Sequence, residues 1–183
     1  MLKNLYLICG KSGSGKTYVA NRLSNEYGYK ILKSYSTRQP RNKYDDDHIY
    51  SNVSEYYDFK DANKIAAWSK YDHTFYWATY NQVNSSDLYI IDKHGIETLR
   101  ESHPKRPCVV IYIDTSYENR TNNMCLRGDH KSQIKRRLEN DEDLFEGIEH
   151  YADFIVDGND MHKWHVIADI IKKCEEVSNG ISR

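Results

Sequence analysis

Neither a disulfide framework nor a structural-metal motif is written into this chain. Its four cysteines, Cys9, Cys108, Cys125 and Cys174, are widely spaced and form no C-x-x-C pair, and its eight histidines show no H-E-x-x-H or other ligand spacing. Cys9 and Cys108 lie in apolar strand-like runs and Cys174 on the apolar face of an expected helix, so they read as buried thiols of a reducing compartment. Long hydrophobic runs are also missing. The longest, Cys108 to Ile113, has six residues, far short of the ~20 needed to cross a bilayer. A strand-like segment begins close to Met1 with no signal-peptide pattern before it, so the cytoplasm is the expected location. Charge of one sign is lacking as well: 26 Lys and Arg against 27 Asp and Glu leave a net charge of −1. No global field recruits nucleic acid or a membrane surface, and anion recognition must come from local clusters. No linker, repeat or low-complexity tail divides the 183 residues, which suit one domain.

What stands out instead is Gly10-Lys11-Ser12-Gly13-Ser14-Gly15-Lys16-Thr17. It follows the apolar run Leu5 to Cys9 and precedes a helical pattern from Tyr18 to Tyr27. The spacing G-x-x-x-x-G-K-[ST] in a strand–loop–helix setting is the phosphate-binding loop. Its glycines let successive N–H groups converge on phosphate oxygens, and the helix N-terminus adds partial positive charge. Lys16 is expected to reach the β- and γ-phosphates of a nucleoside triphosphate, and the Thr17 hydroxyl to ligate Mg²⁺.

The rest of the chain alternates strands and helices, which predicts βαβ crossovers and a parallel sheet. Leu5–Cys9, Tyr29–Leu32, Leu88–Ile91, Cys108–Ile113 and Asp153–Asp157 read as strands. The first helix is expected to bury Val19, Leu23 and Tyr27 and to stop at Gly28. A second helix is expected from Ser54, running through Tyr57 to Ile65, and a C-terminal one buries Trp164, Ile167, Ile171 and Cys174. Between strands, Arg38 and Arg41 flank Pro40, with hydroxyls at Ser34, Ser36 and Thr37. Such a segment is either a solvated basic turn or a pair of guanidinium forks aimed at one anion. The aspartates 45–47 read as a solvated turn, since neighbouring side chains on an extended chain do not converge on a cation. Half of the sixteen tyrosines fall from Tyr35 to Tyr80, as packing or as base- and phosphate-binding groups. Asp92, at the carboxyl end of a buried strand, is either a ligand of the crevice or a cap.

The phosphate loop followed by Ser34-Tyr35-Ser36-Thr37-Arg38-Gln39-Pro40-Arg41 resembles guanylate kinase, and the similarity runs through most of the chain. The resemblance implies an α/β P-loop NTPase fold: a five-stranded parallel sheet flanked by helices, a small β-rich nucleotide-binding arm and a helical lid. It divides the chain into a core (1–33, 83–119 and 138–183), an arm (34–82) and a lid (120–137). It implies ATP and Mg²⁺ as cofactors and transfer of the γ-phosphate to GMP or dGMP, in a monomer or homodimer without nucleic-acid or membrane partners. By the same resemblance Ser34, Arg38, Arg41, Tyr50, Tyr76 and Asp92 bind the acceptor. His48 competes with Tyr50 for the place of a phosphate-binding tyrosine. Arg127 and Arg137, in R-G-x₅-I-x-x-R, match the lid; Asn123 replaces a frequent arginine there, for which Arg120 is a substitute. Lys16, Arg38, Arg41, Arg127 and Arg137 are the expected catalytic set. Two positions depart from the family. Its guanine-reading glutamate and serine fall on Ala67 and Ala78, unless a shift by one residue gives their role to Asp72 or Thr79. Another nucleotide, ribose bisphosphate, or a binding module without catalysis are therefore the alternatives.

Overall fold

The computed structural model describes residues 3–40, 43, 45–71, 73–102 and 104–180. Arg41 and Asp72 lie outside the described residues. The chain runs β1 (Leu5–Cys9), α1 (Lys16–Tyr27), β2 (Ile31–Leu32), β3 (Tyr35–Ser36), β4 (Ile49–Tyr50), α2 (Val53–Asp61), β5 (Ile65–Tyr71), β6 (Thr74–Thr79), α3 (Tyr80–Ser85), β7 (Leu88–Ile90), α4 (Lys93–Glu101), β8 (Cys108–Asp114), α5 (Tyr117–Leu126), α6 (Lys131–Leu144), a 3₁₀ turn (Ile148–His150), β9 (Phe154–Asp157) and α7 (Lys163–Ser178).

Five strands form a parallel sheet in the order β2-β7-β1-β8-β9. The alternation of side chains along β1 splits the interior in two. Leu5, Leu7 and Cys9 face one core, with Ile96 and Leu99 of α4. Tyr6 and Ile8 face the other, with Val19, Ala20 and Leu23 of α1 and Trp164, Ile167 and Ile171 of α7. Both faces are covered, which is why these strands read as unbroken apolar runs. Burial pushes the Cys9 thiol up to about 12, and all four cysteines are free. Tyr27 does not join the sheet-facing stripe; it is 41% exposed and stands beside Tyr29 and Trp164 at the edge. Gly28 ends α1 as expected: with φ +75 it donates its N–H back to Ser24 O at 2.9 Å.

A second sheet, β4-β3-β6-β5, is built from residues 35–79. Most of the tyrosine-rich segment is its packing. Tyr35 stacks on Trp77 at 5.2 Å and Tyr56 on Phe75 at 4.2 Å, bringing α2 onto the sheet. The helix begins one residue before the expected Ser54, because Asn52 caps it by accepting from the Glu55 N–H at 2.9 Å. It ends at Asp61, and Ile65 belongs to β5. The acidic stretch after Leu138 stays helical only to Leu144; Gly147, with φ +70, turns the chain into the 3₁₀ segment.

Candidate active site

The phosphate loop leaves the carboxyl end of β1, where ligands bind in open α/β sheets. Gly13 and Gly15 have φ of +78 and +90, a region that favours glycine. At Gly13 the close approach is equally demanding, since a Cβ there would lie 2.5 Å from the Arg120 carbonyl oxygen. The Lys16 ammonium folds back over the loop, donating to Gly10 O at 2.6 Å and Lys11 O at 3.0 Å. Burial pushes its pKa below the ordinary lysine value, with the Asp141 carboxylate opposing. Thr17 is exposed beside it. Gly10, Ser12, Gly13, Gly15, Lys16 and Thr17 all line the cavities that meet here. Lys11 and Ser14 do not: Lys11 is paired with Glu142 at 2.7 Å, and Ser14 is buried beneath the loop.

Opposite the loop stands the small sheet. The Ser34 hydroxyl is 3.0 Å from His48 Nδ1, and Arg38 donates to the Tyr50 hydroxyl at 3.0 Å. The two competing residues thus occupy neighbouring places, His48 on Ser34 and Tyr50 on Arg38. His48 and Tyr76 line the cavity that also contains Lys16, Asp92 and Arg137. A larger cavity of about 790 Å³ joins Arg38 and Tyr76 to Arg127 and Arg137. Arg38, Tyr76, Asp92, Arg127, Arg137 and Lys16 are thereby brought round one continuous cleft, as is Ser34 through the cavity it shares with Lys16 and His48.

Aspartates hold these arginines, a role the sequence reading did not give them. Asp45 accepts from both terminal nitrogens of Arg38, at 2.9 and 3.3 Å, and its side chain is 2% exposed. The aspartates 45–47 are therefore not simply a solvated turn: the guanidinium in the cleft wall needs a counter-charge. Asp129 does the same for the lid-like arginines, accepting from Arg127 Nε at 3.0 Å and lying 3.7 Å from Arg137. Asp92 caps α4, accepting from the Gly95 N–H at 2.7 Å, while still lining the cleft.

Arg120 is not a substitute lid arginine. It is buried, donating to Asp141 and Glu142 at 3.2 Å each. Asp141 in turn accepts from the Ser12 N–H at 2.6 Å and its hydroxyl at 3.1 Å, and Asn123 donates to Gly13 O at 2.8 Å. Helices α5 and α6 are stitched to the phosphate loop through these contacts. Burial raises the Asp141 carboxyl above the usual aspartate range even though Ser12, Lys16 and Arg120 pull it down. Its spacing from Ile134 and Leu138 places it on the buried face of α6, a signal legible in the sequence as i, i+4, i+7.

At the far end of the cleft, Ser69 and Tyr76 face each other across β5 and β6, and Ala67 and Ala78 form the next pair inward in the same row. Both alanines are 0% exposed and belong to the core. They lie beneath the cleft in the core and line none of the cavities described above. Thr79 caps α3 through a reciprocal box with Gln82 and is not turned to base reading.

Among the described residues no group of three or more His, Cys, Asp or Glu forms a metal site. The donor set fits a nucleotide-borne cation instead, with the exposed Thr17 hydroxyl beside Lys16 and the first amides of α1, which have no intrahelical acceptor. No helix among the described residues is long and apolar enough to cross a membrane.

No curated protein matches this sequence. Among solved structures, the guanylate kinase of Anaplasma phagocytophilum is similar in fold, with a TM-score of 0.67 at 18% identity, covering 94% of this chain and 87% of the other. The expected P-loop fold is therefore present. A family model described as AAA domain matches residues 7–146, from β1 to the end of α6. Family and fold together support a nucleotide kinase. With its phosphate loop, five-stranded parallel sheet and matched span, the chain belongs to the AAA domain family, a family of P-loop kinases.

Proposed function

We propose that this protein transfers the γ-phosphate of ATP to a nucleoside monophosphate, with GMP or dGMP as the first acceptor to consider. The observation that carries this reading is the single cleft between phosphate loop, small sheet and the α5–α6 pair. Lys16 enters it from one side, Arg38 and Tyr76 from a second, and Arg127 and Arg137 from a third. Transfer between two phosphates needs no covalent intermediate. It needs both partners held in line and the spreading negative charge neutralised in a site that excludes water. Lys16 serves the donor end, with Thr17 holding Mg²⁺ alongside phosphate oxygens. Ser34, Arg38 and either His48 or Tyr50 serve the acceptor phosphate, and Arg127 and Arg137 meet the migrating group. Arg41 belongs to the same proposal by its place in the motif. Asp45 and Asp129 keep the arginines pre-oriented, and incoming phosphate exchanges with them as the counter-charge.

A second reading, with the same chemistry and a different acceptor, is favoured by one observation. Ala67 and Ala78 offer no hydrogen-bonding group, and a site without such groups loses the discrimination of about four to five orders of magnitude that paired polar edges supply. The test is ADP release with ATP and Mg²⁺ against GMP, dGMP, AMP, CMP, UMP, dTMP and ribose 1,5-bisphosphate. Turnover concentrated on GMP and dGMP supports the first reading. A preference for another member of the panel supports the second, and no turnover with any of them removes the kinase proposal in favour of a binding module.

A further inference from the structure

Lys163 opens α7 on the side of the phosphate loop away from the small sheet, and nothing in the transfer scheme above uses it. The residue is 8% exposed, yet it lines a cavity of about 390 Å³ together with Gly15, Thr17, Tyr18 and Asn123. Its Nζ donates to Gly158 O at 2.6 Å, the one polar contact it makes among the described residues. Burial lowers its pKa from the ordinary lysine value, and the carboxylates of Asp160 and Asp157 oppose this only from a distance. A buried ammonium with one neutral acceptor, and no carboxylate within ion-pair distance among the described residues, is poorly compensated, an arrangement that folding alone disfavours.

Position says what the counter-charge is. A Cβ on Gly15 would lie 3.2 Å from Lys163 Cε and 3.6 Å from its Nζ. The ammonium therefore rests against the phosphate loop where α1 begins, at the end of the helix that attracts anions. Lys16, which lines the same cavity, is built alike, with carbonyl partners and a pKa lowered by burial. Two lysines thus line one cavity with Gly15 and Thr17. The cavity that Lys163 lines contains neither Ser34 nor His48, whereas the cavity on the opposite side of the loop contains both. Lys163 accordingly belongs to the donor end.

The geometry points to Lys163 as a second cation of the triphosphate site, donating to the phosphate chain of the donor nucleotide from the α7 side. This inference rests on the nucleotide-kinase reading and adds a binding residue to it. A charged hydrogen bond of this kind corresponds to about 10- to 100-fold in affinity. The probes are ATP with Mg²⁺ and inorganic tripolyphosphate with Mg²⁺, titrated by calorimetry against wild type, Lys163→Met and Lys163→Gln. The glutamine variant keeps a donor for Gly158 O and serves should the methionine variant fail to fold. Both variants are expected to bind ATP and tripolyphosphate about 10- to 100-fold more weakly, with the KM for the acceptor unchanged. Unchanged ATP affinity in a folded variant overturns the inference while leaving the kinase reading intact. Weaker ATP binding with unchanged tripolyphosphate binding also overturns it, by moving the contact to sugar or base. Absence of ATP binding to wild type removes the kinase reading itself, and the inference with it.

Discussion

Lys16→Met is expected to lower kcat by about 10²- to 10³-fold, the effect of removing one charge-stabilising donor from a transfer site. The Lys16 ammonium sits at the junction of the three walls of the cleft, with only the carbonyls of Gly10 and Lys11 as partners. No other described side chain occupies that place: Lys11 is turned to Glu142, and Arg137 enters from the opposite wall. Stability is expected to move the other way. A lysine whose folded pKa lies below its unfolded value costs stability while it is charged in the fold, and that cost fades as pH rises through the folded pKa towards 10.5. The variant, which has no ammonium to desolvate, is therefore expected to have a urea midpoint at neutral pH no lower than that of wild type, the relative advantage shrinking towards alkaline pH. Steady-state kinetics with the preferred acceptor and denaturant titrations at two pH values check both halves. Full retained turnover would remove Lys16 from the transfer step.

Arg120→Met carries the largest expected effect on stability. Arg120 and Asp141 are 3% and 2% exposed as a pair, and removing one partner of a buried pair costs about 3–5 kcal/mol, because the other charge remains buried. The pH dependence follows from the sign of the Asp141 shift. Its carboxyl is already raised in the fold by burial, so the fold favours the protonated form. Its penalty is absent below the unfolded pKa and grows as pH rises through the folded one. Without Arg120 the folded pKa rises further. The loss should accordingly be full at neutral pH and much smaller below pH ~3, where the carboxyl is protonated in both states. Glu142 adds little, being 59% exposed and still paired with Lys11. The double variant Arg120→Met/Asp141→Leu is expected to recover most of the loss. Urea unfolding of all three proteins across pH decides this, and an Arg120→Met midpoint equal to wild type at neutral pH would show that the pair does not hold the loop.

Function and stability meet in this joint. Asp141 grips the Ser12 amide and hydroxyl, Asn123 the Gly13 carbonyl, and the Arg120 backbone abuts Gly13 so closely that no side chain fits there. The loop is thus braced by the two helices whose connecting turn carries Arg127 and Asp129, and a movement of that turn acts on helices already tied to the donor site.

The local motifs determined a good deal by themselves. Gly10 to Thr17 specify a phosphate loop because glycine placement and the strand–helix junction are properties of adjacent residues. The apolar runs at Leu5–Cys9 and Cys108–Ile113 specify doubly covered strands because a strand buried on both faces has no polar position. Arg38, Arg127 and Arg137 were picked out as a set by the resemblance of their motifs to guanylate kinase. What only the tertiary structure decided are the partners brought from a distance. Asp45 reads as part of a solvated turn until it is found against Arg38, Asp129 has no role until it is found against Arg127, and Asp141 belongs to an acidic stretch until its face of α6 meets Ser12 and Arg120. Lys163 is one lysine among many in the sequence, and only the packing of α7 against Gly15 sets it apart. Ala67 and Ala78 are two small residues in sequence, and a paired piece of the core beside Ser69 and Tyr76 only once β5 and β6 come together. The physical reason is common to all of these. A charge or a methyl acquires its role from the dielectric and the neighbours that folding places around it, and those neighbours lie far away along the chain.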